Sequence, residues 1–308
     1  MPEVLYRAKL KPFRQTVIGG MGGSHLSAGL LNAVKPALNL RIRHDYGLPP
    51  LSEALARETF FIAISYSGNT EETIDFAREA RARGHALAVI ATGGILLQFA
   101  RSEELPHVAL PDAGVPPRAA AGAIALALAE LLGERELSEE LRALARTLSP
   151  ARAAEEGRAL ARTLSGTVPL VYASARNAPL AYFWKIAFNE SAKIPAFWNE
   201  FPEADHNEIE SFAGPGGPRV PLHALFLRGD DHPRTLLRSR LTEDLYRKRL
   251  VPTSALTLSG SSASERVFGG ALRGLAAALA LGEGYGNEPL RTPLIDQLKE
   301  RMGASNAR

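Results

Sequence analysis

Residues 60–73 read FFIAISYSGNTEET, and this stretch decides the fold. Its opening run, residues 60–65, is almost wholly apolar, as in a strand that is buried on both faces of a sheet. Residues 71–83 then follow a helical pattern. Because parallel strands are joined by crossover helices, a buried strand that turns directly into a helix predicts a parallel sheet covered by helices.

The same alternation extends along the chain in both directions. In the first half, strand patterns stand at residues 16–18, 38–43, 86–91 and 107–110. The second half repeats the plan about 150 residues later, with 167–173, 222–228 and 253–258 matching the strands at 16–18, 60–65 and 107–110. We expect an α/β fold of two doubly wound, flavodoxin-like subdomains, residues 1–150 and 151–308. A polar helix around residues 138–165 would cross between them or lie on the surface as a solvated helix.

Composition narrows the class of protein. The chain has 308 residues, of which 45% are hydrophobic and 22% charged, with no cysteine and a formal net charge of +3. No disulfide framework or cysteine-based metal or redox site is possible, and no dense basic stripe suggests a nucleic-acid partner. The N-terminus lacks the apolar core of a signal peptide, and the most apolar run, residues 119–129, is too short to span a bilayer. We expect a soluble, cytoplasmic protein with no membrane partner.

Three hydroxyl side chains predict an anion site in the turn between the strand at 60–65 and the helix at 71–83. They belong to Ser65, Ser67 and Thr70. The first N–H groups of a helix have no partner within the helix and lie at the positive end of its dipole, so a turn of this kind is suited to phosphate. The alternative is that Thr70 simply caps the helix, with Glu72 and Thr73 behind it.

A second glycine-rich turn, GGMGGS at residues 19–24, also joins a strand to a helix. A dinucleotide fingerprint with Asp45 as its ribose partner is one interpretation. The third glycine of that fingerprint would fall at His25, so the match is poor. Close approach of the backbone to a sugar ring is the interpretation that we favour.

Glu190 is the candidate general base of the second half. Within a helix predicted over residues 181–192, Phe183, Ala187 and Glu190 share one stripe. A carboxylate that is desolvated but still reachable is suited to proton transfer. The alternative is an ordinary glutamate that is solvated or paired with Lys193.

One histidine lies within an acidic cluster, whose members are Glu203, Asp205, His206, Glu208 and Glu210. Carboxylates and imidazole are metal ligands, but no second histidine stands three or four residues away from His206. A surface or structural histidine is the alternative.

Two basic residues also stand out. Arg118 follows two prolines and opens a helix, where a cation opposes the dipole and suggests a facing anion; the alternative is a side chain that extends to solvent. Lys299 lies beside the apolar face of a short C-terminal helix over residues 292–301, and by itself it is typical of a solvated lysine.

These motifs together resemble a known family. Gly22-Gly23-Ser24, the turn at residues 65–73 and Pro116-Pro117-Arg118 resemble sugar isomerase (SIS) domains. The segments FNESAKIPA at 188–196 and PEADHNEI at 202–209 make the whole chain similar to the bifunctional phosphoglucose/phosphomannose isomerases. A departure is Ile95, where many relatives carry lysine.

The resemblance implies a role for each matching residue. The substrate site would include Gly22, Gly23, Ser24, Ser65, Ser67, Thr70 and Thr292, with the four hydroxyls of Ser24, Ser65, Ser67 and Thr70 on the phosphate. The catalytic residues would be Glu190 as proton-transfer base, His206 for ring opening, and Arg118 and Lys299 for the developing negative charge. Thr292, seven residues before Lys299, has the spacing of the bifunctional branch. In this family the histidine comes from the partner subunit, which implies a homodimer.

The expected function is isomerisation of glucose 6-phosphate, and of mannose 6-phosphate, to fructose 6-phosphate through a cis-enediol, in glycolysis or gluconeogenesis. No cofactor and no metal are expected. The alternative from another class is a non-catalytic sugar-phosphate sensor, although only about 16 residues precede the first strand, too few for a DNA-binding module. An amino-sugar isomerase would need an ammonia-supplying domain for which the length leaves no room.

Overall fold

Two parallel sheets organise the computed structural model, which describes residues 3–10, 13–214, 218 and 220–305. The first half contains β1 (Val4–Leu5), β2 (Gln15–Gly19), α1 (Gly23–Val34), β3 (Leu40–Arg43), α2 (Glu53–Arg57), β4 (Thr59–Ile64), α3 (Glu71–Ala82), β5 (Ala86–Ala91), α4 (Gly94–Ser102), β6 (His107–Ala109), α5 (Ala121–Leu132) and α6 (Arg135–Thr147). The second half contains α7 (Pro150–Leu164), β7 (Val168–Ser174), α8 (Ala178–Ala187), β8 (Phe197–Phe201), β9 (Leu222–Arg228), α9 (Pro233–Lys248), β10 (Thr253–Thr257), α10 (Ala263–Gly284) and α11 (Pro293–Ser305).

Strand order confirms the predicted α/β class. The first sheet runs β1-β6-β5-β4-β2-β3, and every pairing in it is parallel except that of the two-residue edge strand β1. The second sheet runs β10-β9-β7-β8 and is parallel throughout. Strand β4 is buried along its whole length, as its apolar run predicts.

The two halves share one hydrophobic core. Phe60, Ile62 and Ile64 point to one face of the first sheet and join a cluster that also contains Val171 and Leu225 of the second sheet. Helices α1, α5, α8 and α10 fill this layer between the sheets. Separate clusters cover the outer faces of the two sheets. Both halves of the chain therefore contribute to a single packed layer.

The structure corrects three expectations about the elements. The polar helix expected over 138–165 is two helices, α6 and α7, because Ser149 caps α7 and Pro150 opens it. The second sheet places β10 next to β9, and the matching position in the first sheet, next to β4, belongs to β5. The expected match of β10 to the strand at 107–110, which is β6, is therefore wrong. Strands β1 and β8 were not expected; β1 has too few residues to show a pattern. No helix among the described residues is both long enough and apolar enough to cross a membrane.

His25 is buried where α1 of the first half meets α8 of the second. Its side chain is 3% exposed, and its ring lies 5.7 Å from the ring of His44 and 5.8 Å from that of Tyr182. Its Nδ1 atom has no hydrogen-bond partner among the described residues. Burial, helped by the nearby His44, lowers the pKa of His25 to about 4. The folded protein therefore holds this imidazole neutral.

Replacing His25 tests this burial. Because its pKa is lower in the folded chain than the usual 6.5 of an unfolded one, the unfolded chain binds the extra proton and stability falls as the pH drops from 6.5 towards 4. We expect the wild type to lose about 3 kcal/mol more unfolding free energy over this window than His25→Leu does. Urea unfolding followed by circular dichroism at several pH values measures the difference. His232→Asn, at an exposed histidine, is the control; parallel curves for wild type and His25→Leu would refute the assignment.

Candidate active site

The two sequence turns meet at one edge of the first sheet. Strands β2 and β4 are parallel neighbours, so the turns that follow them leave the same edge. Ser24, at the start of α1, accepts a hydrogen bond on Oγ from the backbone N–H of Tyr66 at 3.1 Å. This bond joins the glycine-rich turn to the hydroxyl turn, and the side chain of Ser24 is buried beneath the junction.

The hydroxyl turn leaves the start of α3 without a side-chain cap. Thr70 occupies the N-cap position, but its Oγ1 lies 2.9 Å from Oγ of Ser65 and caps no helical N–H. The interpretation of Thr70 as a simple capping residue is therefore wrong. Ser65 is buried and accepts from the N–H of Gly68 at 3.1 Å, whereas Ser67 is exposed. The first N–H groups of α3 have no side-chain acceptor at Thr70, which suits them to an anion.

A second backbone turn supports the first. A Cβ atom at Gly68, whose φ is +72°, would lie 1.8 Å from the carbonyl oxygen of Gly93. Asn69 accepts from the N–H of Ile95 through Oδ1 at 3.0 Å. The hydroxyl turn thus rests directly on the backbone at residues 92–95, and only glycine permits this approach at Gly68.

Glycine is also required at position 23, where the backbone before Arg118 packs against the start of α1. A Cβ atom at Gly23 would lie 2.4 Å from the backbone nitrogen of Arg118 and 2.8 Å from the carbonyl carbon of Pro117. The 3-10 turn Pro117–Ala120 therefore packs directly on the start of α1. This close packing brings Arg118 beside the glycine-rich turn.

Arg118 is buried and joins the two halves of the chain. Only 1% of its side chain is exposed. Its Nη1 donates to Oε2 of Glu190 at 2.8 Å, its Nε donates to Oγ of Ser191 at 2.9 Å, and its Nη2 donates to the carbonyl of Pro289 at 2.5 Å. Burial lowers the pKa of Arg118, and the carboxylate of Glu190 opposes that change. The alternative of a side chain that extends to solvent is wrong.

Glu190 lies in a widened turn that ends its helix. Helix α8 stops at Ala187 and continues as a π-helical turn over Phe188–Ala192. A π turn rotates the residues that follow it relative to an α-helical stripe, so the stripe of Phe183 and Ala187 does not continue straight to Glu190. Such turns are frequent at functional sites. The Glu190 side chain remains 20% exposed.

The two carboxylate oxygens of Glu190 have different surroundings. Oε2 is held by Arg118, whereas Oε1 lies 4.0 Å from the position that a Cβ atom would take at Gly22. Lys193 does not pair with this carboxylate; its Nζ donates to the main-chain carbonyl of Glu190. The alternative of a lysine-paired glutamate is therefore wrong. One oxygen is oriented by a buried cation, and the other faces the glycine-rich turn.

A cavity of about 790 Å³ opens beside Glu190. The segment after α10 and the start of α11 form its other wall, which includes Thr292. Thr292 thus lines the same cavity as Glu190, and its role in the reaction stays a prediction. The glycine-rich turn and the hydroxyl turn do not line this cavity. Lys299 lies farther along α11, is exposed, and does not line this cavity.

His206 is not among the residues that line this cavity. It is exposed on the 3-10 turn Glu203–His206. The acids around it serve separate partners: Glu208 accepts from Tyr172 and Asn199, and Asp205 accepts from Thr242 at 2.7 Å. Among the described residues no three histidine or acidic side chains converge as metal ligands. The roles of His206 and Lys299 stay predictions.

Sequence reasoning missed part of the surroundings of Glu190. Ser191 and the carbonyl of Pro289 hold Arg118, and Tyr182 lies near enough that burial and then Glu190 raise its pKa. Lys193 was considered only as a partner for the carboxylate. The only sequence signal for the contact between Ser191 and Arg118 was the position of this serine next to the candidate base. The carbonyl of Pro289 lies 171 residues from Arg118 along the chain, so no sequence signal indicates that contact.

Comparisons with known proteins show which family the chain belongs to. Residues 153–302 match the family described as bacterial phospho-glucose isomerase C-terminal SIS domain. The chain is 30% identical to a bifunctional phosphoglucose/phosphomannose isomerase of Caldicellulosiruptor bescii, over 97% of this chain and 93% of that protein. It is 29% identical to an Aquifex aeolicus protein of the same name, over 95% and 92%.

Solved structures show the same fold. A hypothetical protein from Thermus thermophilus superposes with a TM-score of 0.69 at 20% identity, over 96% of this chain and 84% of that one. With near-complete coverage of relatives at this identity, the chain belongs to the family of bifunctional phosphoglucose/phosphomannose isomerases.

Proposed function

We propose that the protein is an aldose-ketose isomerase that interconverts glucose 6-phosphate, and mannose 6-phosphate, with fructose 6-phosphate. The observation that carries this proposal is the arrangement of Glu190, with Oε2 fixed by the buried Arg118 and Oε1 facing the glycine-rich turn. A carboxylate with one oxygen oriented by a cation and the other not held by that cation is equipped to remove and return a proton. Curated relatives that carry this activity in their names support the assignment.

In the proposed reaction Glu190 removes the proton from C2 of the open-chain aldose and returns it to C1. The carbonyl oxygen at C1 gains a proton while the hydroxyl at C2 loses one, so the cis-enediol becomes the ketose without any external reductant. Arg118, held beside Glu190, favours the negative charge that develops on the enediol oxygens. The chemistry needs neither a metal nor a nicotinamide.

The hydroxyl turn is the proposed phosphate site. Ser67 is exposed, Thr70 is partly exposed, and the first N–H groups of α3 lie beside them. Ser24 and Ser65 are buried beneath and hold the turn in shape through Tyr66 and Gly68. The resemblance placed all four hydroxyls on the phosphate. Because Ser24 and Ser65 are buried, we instead propose direct phosphate contact for Ser67, Thr70 and the backbone, with Ser24 and Ser65 supporting them.

His206 and Thr292 are the residues that we propose for ring opening and for the use of both glucose and mannose 6-phosphate. We propose that His206 of a partner subunit enters the cavity, which makes the active unit a homodimer. Thr292 lines the cavity beside Glu190. A residue of its small size leaves room for rotation about C2–C3, so that both epimers present C2 to the same base. Because sugar phosphates are metabolites of the cell interior, we expect the enzyme in the cytoplasm, in glycolysis or gluconeogenesis.

The phosphate site is tested by removing its exposed hydroxyl. Ser67→Ala should raise KM for fructose 6-phosphate about ten-fold or more and leave kcat nearly unchanged, since one hydrogen bond to a charged group contributes roughly 1.5–3 kcal/mol. Inhibition by inorganic phosphate should weaken by the same factor. Ser52→Ala, at an exposed serine that caps α2, is the matched control. An unchanged KM would place the phosphate elsewhere.

The base is tested by Glu190→Gln, which should lower kcat about 100- to 10,000-fold, or roughly 3 to 5 kcal/mol of barrier, because an amide cannot accept the C2 proton. Binding of a sugar phosphate, measured by calorimetry, should change little. A coupled assay that follows glucose 6-phosphate and mannose 6-phosphate separately gives the rates. The variant also leaves Arg118 buried without its counterion, so its unfolding must be measured alongside.

Glu155→Gln makes the same chemical change on the exposed surface of α7 and is the control for Glu190→Gln. A sensor would show no turnover in the wild type. Full turnover in a folded Glu190→Gln protein would show that another residue carries the proton.

Subunit sharing is tested by co-expressing Glu190→Gln with His206→Asn. If each site takes Glu190 from one chain and His206 from the other, a mixed dimer contains one site with both residues intact. Random mixing then restores about a quarter of wild-type activity from two inactive parents. If both residues act within one chain, no site in the mixed dimer is intact and activity stays absent. That result, or a fully active monomer in sedimentation, would refute the shared site.

A further inference from the structure

The segment at residues 286–292, here called the C-terminal strap, joins α10 to α11 and passes beside Glu190. Besides the backbone bonds of Gly286 and Asn287 to the end of α10, three hydrogen bonds from side chains tie the described part of the strap to the body of the protein. Arg118 donates to the carbonyl of Pro289 at 2.5 Å, the side chain of Asn287 donates to the carbonyl of Ala192 at 2.9 Å, and Lys193 donates through Nζ to the carbonyl of Arg291. All three involve the π turn that carries Glu190 or a residue in contact with it.

Lys193 stands at the point where this turn ends. Its φ of +58° is in the left-handed region, which turns the chain sharply after Ala192. From there its ammonium donates to two main-chain carbonyls, those of Glu190 and Arg291. Burial, and next Arg118, lower the pKa of Lys193, while Glu190 opposes them. Arg118 holds Oε2 of the carboxylate, and the lysine bridges two backbone segments.

The end of the strap depends on such ties because the helix after it has little apolar burial of its own. Leu294 is 78% exposed and Leu298 is 58% exposed in the single chain. Thr292, which lines the cavity, immediately follows Arg291, whose carbonyl Lys193 holds. Hydrogen bonds from a charged donor are the strong ones among such contacts.

We propose that Lys193 is a positioning residue: it ties the strap to the turn that carries Glu190, and so keeps Thr292 and the start of α11 against the cavity. It acts on the reaction through these residues rather than by contact with the reacting atoms. The kinetic part of this inference rests on the proposed isomerase activity. The structural part, the closure of the strap, does not.

Limited proteolysis measures directly how often the strap detaches from the protein. The bond that trypsin cuts after Arg291 contains the carbonyl that accepts the hydrogen bond from Lys193. Lys193→Met keeps the length of the side chain and removes its donors. In the intact protein we expect cleavage after Arg291 to be about ten-fold faster in this variant, since the lost charged hydrogen bond contributes roughly 1.5–3 kcal/mol. Lys193→Arg, which retains donors and charge, should return cleavage towards the wild-type rate.

Kinetics give the second readout. Lys193→Met should lower kcat about ten-fold, because Thr292 and α11 are displaced, while KM changes less than about two-fold because the phosphate turn is untouched. Lys193→Arg should restore most of kcat. Lys185→Met, the same change on α8 where the lysine has no hydrogen bond assigned among the described residues, should leave both readouts at the wild-type level.

The two proposals fail separately. Wild-type cleavage rates in Lys193→Met, or equal loss of kcat in the methionine and arginine variants, would overturn the role of Lys193. A wild type without isomerase activity would overturn the proposed function, while faster cleavage in Lys193→Met would still support the tie. If the methionine variant does not fold, Lys193→Gln carries the same comparison with a shorter polar side chain.

Discussion

The burial of the Arg118 guanidinium is the constraint on which the site depends. Moving a charge out of water costs several kcal/mol unless the protein supplies a counterion and acceptors for its donors. Here all of these come from the second half of the chain, as Glu190, Ser191 and the carbonyl of Pro289. Satisfying one buried cation therefore brings together three separate segments. The candidate base is oriented as a consequence, because one of its oxygens is already committed to that cation.

This constraint also explains the small residues around the site. Arg118 reaches Glu190 because the backbone before it packs directly on Gly23, where a Cβ atom would overlap the chain. Gly22 likewise has no side chain, and Oε1 of Glu190 faces it directly. Glycine at position 23 thus determines where the cation lies. The hydroxyl turn joins the same arrangement through the bond between Ser24 and Tyr66.

The sequence predicts those features that depend on local order along the chain. The apolar run of β4 and the turn after it predict a parallel sheet with a polar turn at its edge, and both are present. Thr70 shows the limit of such reasoning: its type and position left a cap as the alternative to an anion site, and only the structure shows that its hydroxyl contacts Ser65 and caps no helical N–H. Lys193 shows the same limit at longer range. Spacing of three residues left pairing with the Glu190 carboxylate as an alternative, but Arg118, distant in sequence, holds Oε2 and Lys193 donates to the main-chain carbonyl of Glu190 instead.

The shared core restricts where the molecule can adjust around a ligand. Helices α1, α5, α8 and α10 pack between both sheets, so the two halves cannot separate without opening a close-packed layer. Arg118, the π turn and the glycine-rich turn are all attached to that layer. The strap and α11 are different, since hydrogen bonds to backbone carbonyls hold the strap and large apolar side chains of α11 remain exposed. Segments with few buried apolar contacts open at lower free energy than the core does. The base and its cation thus belong to the rigid part of the protein, whereas Thr292 and Lys299 belong to the part whose position a few hydrogen bonds determine.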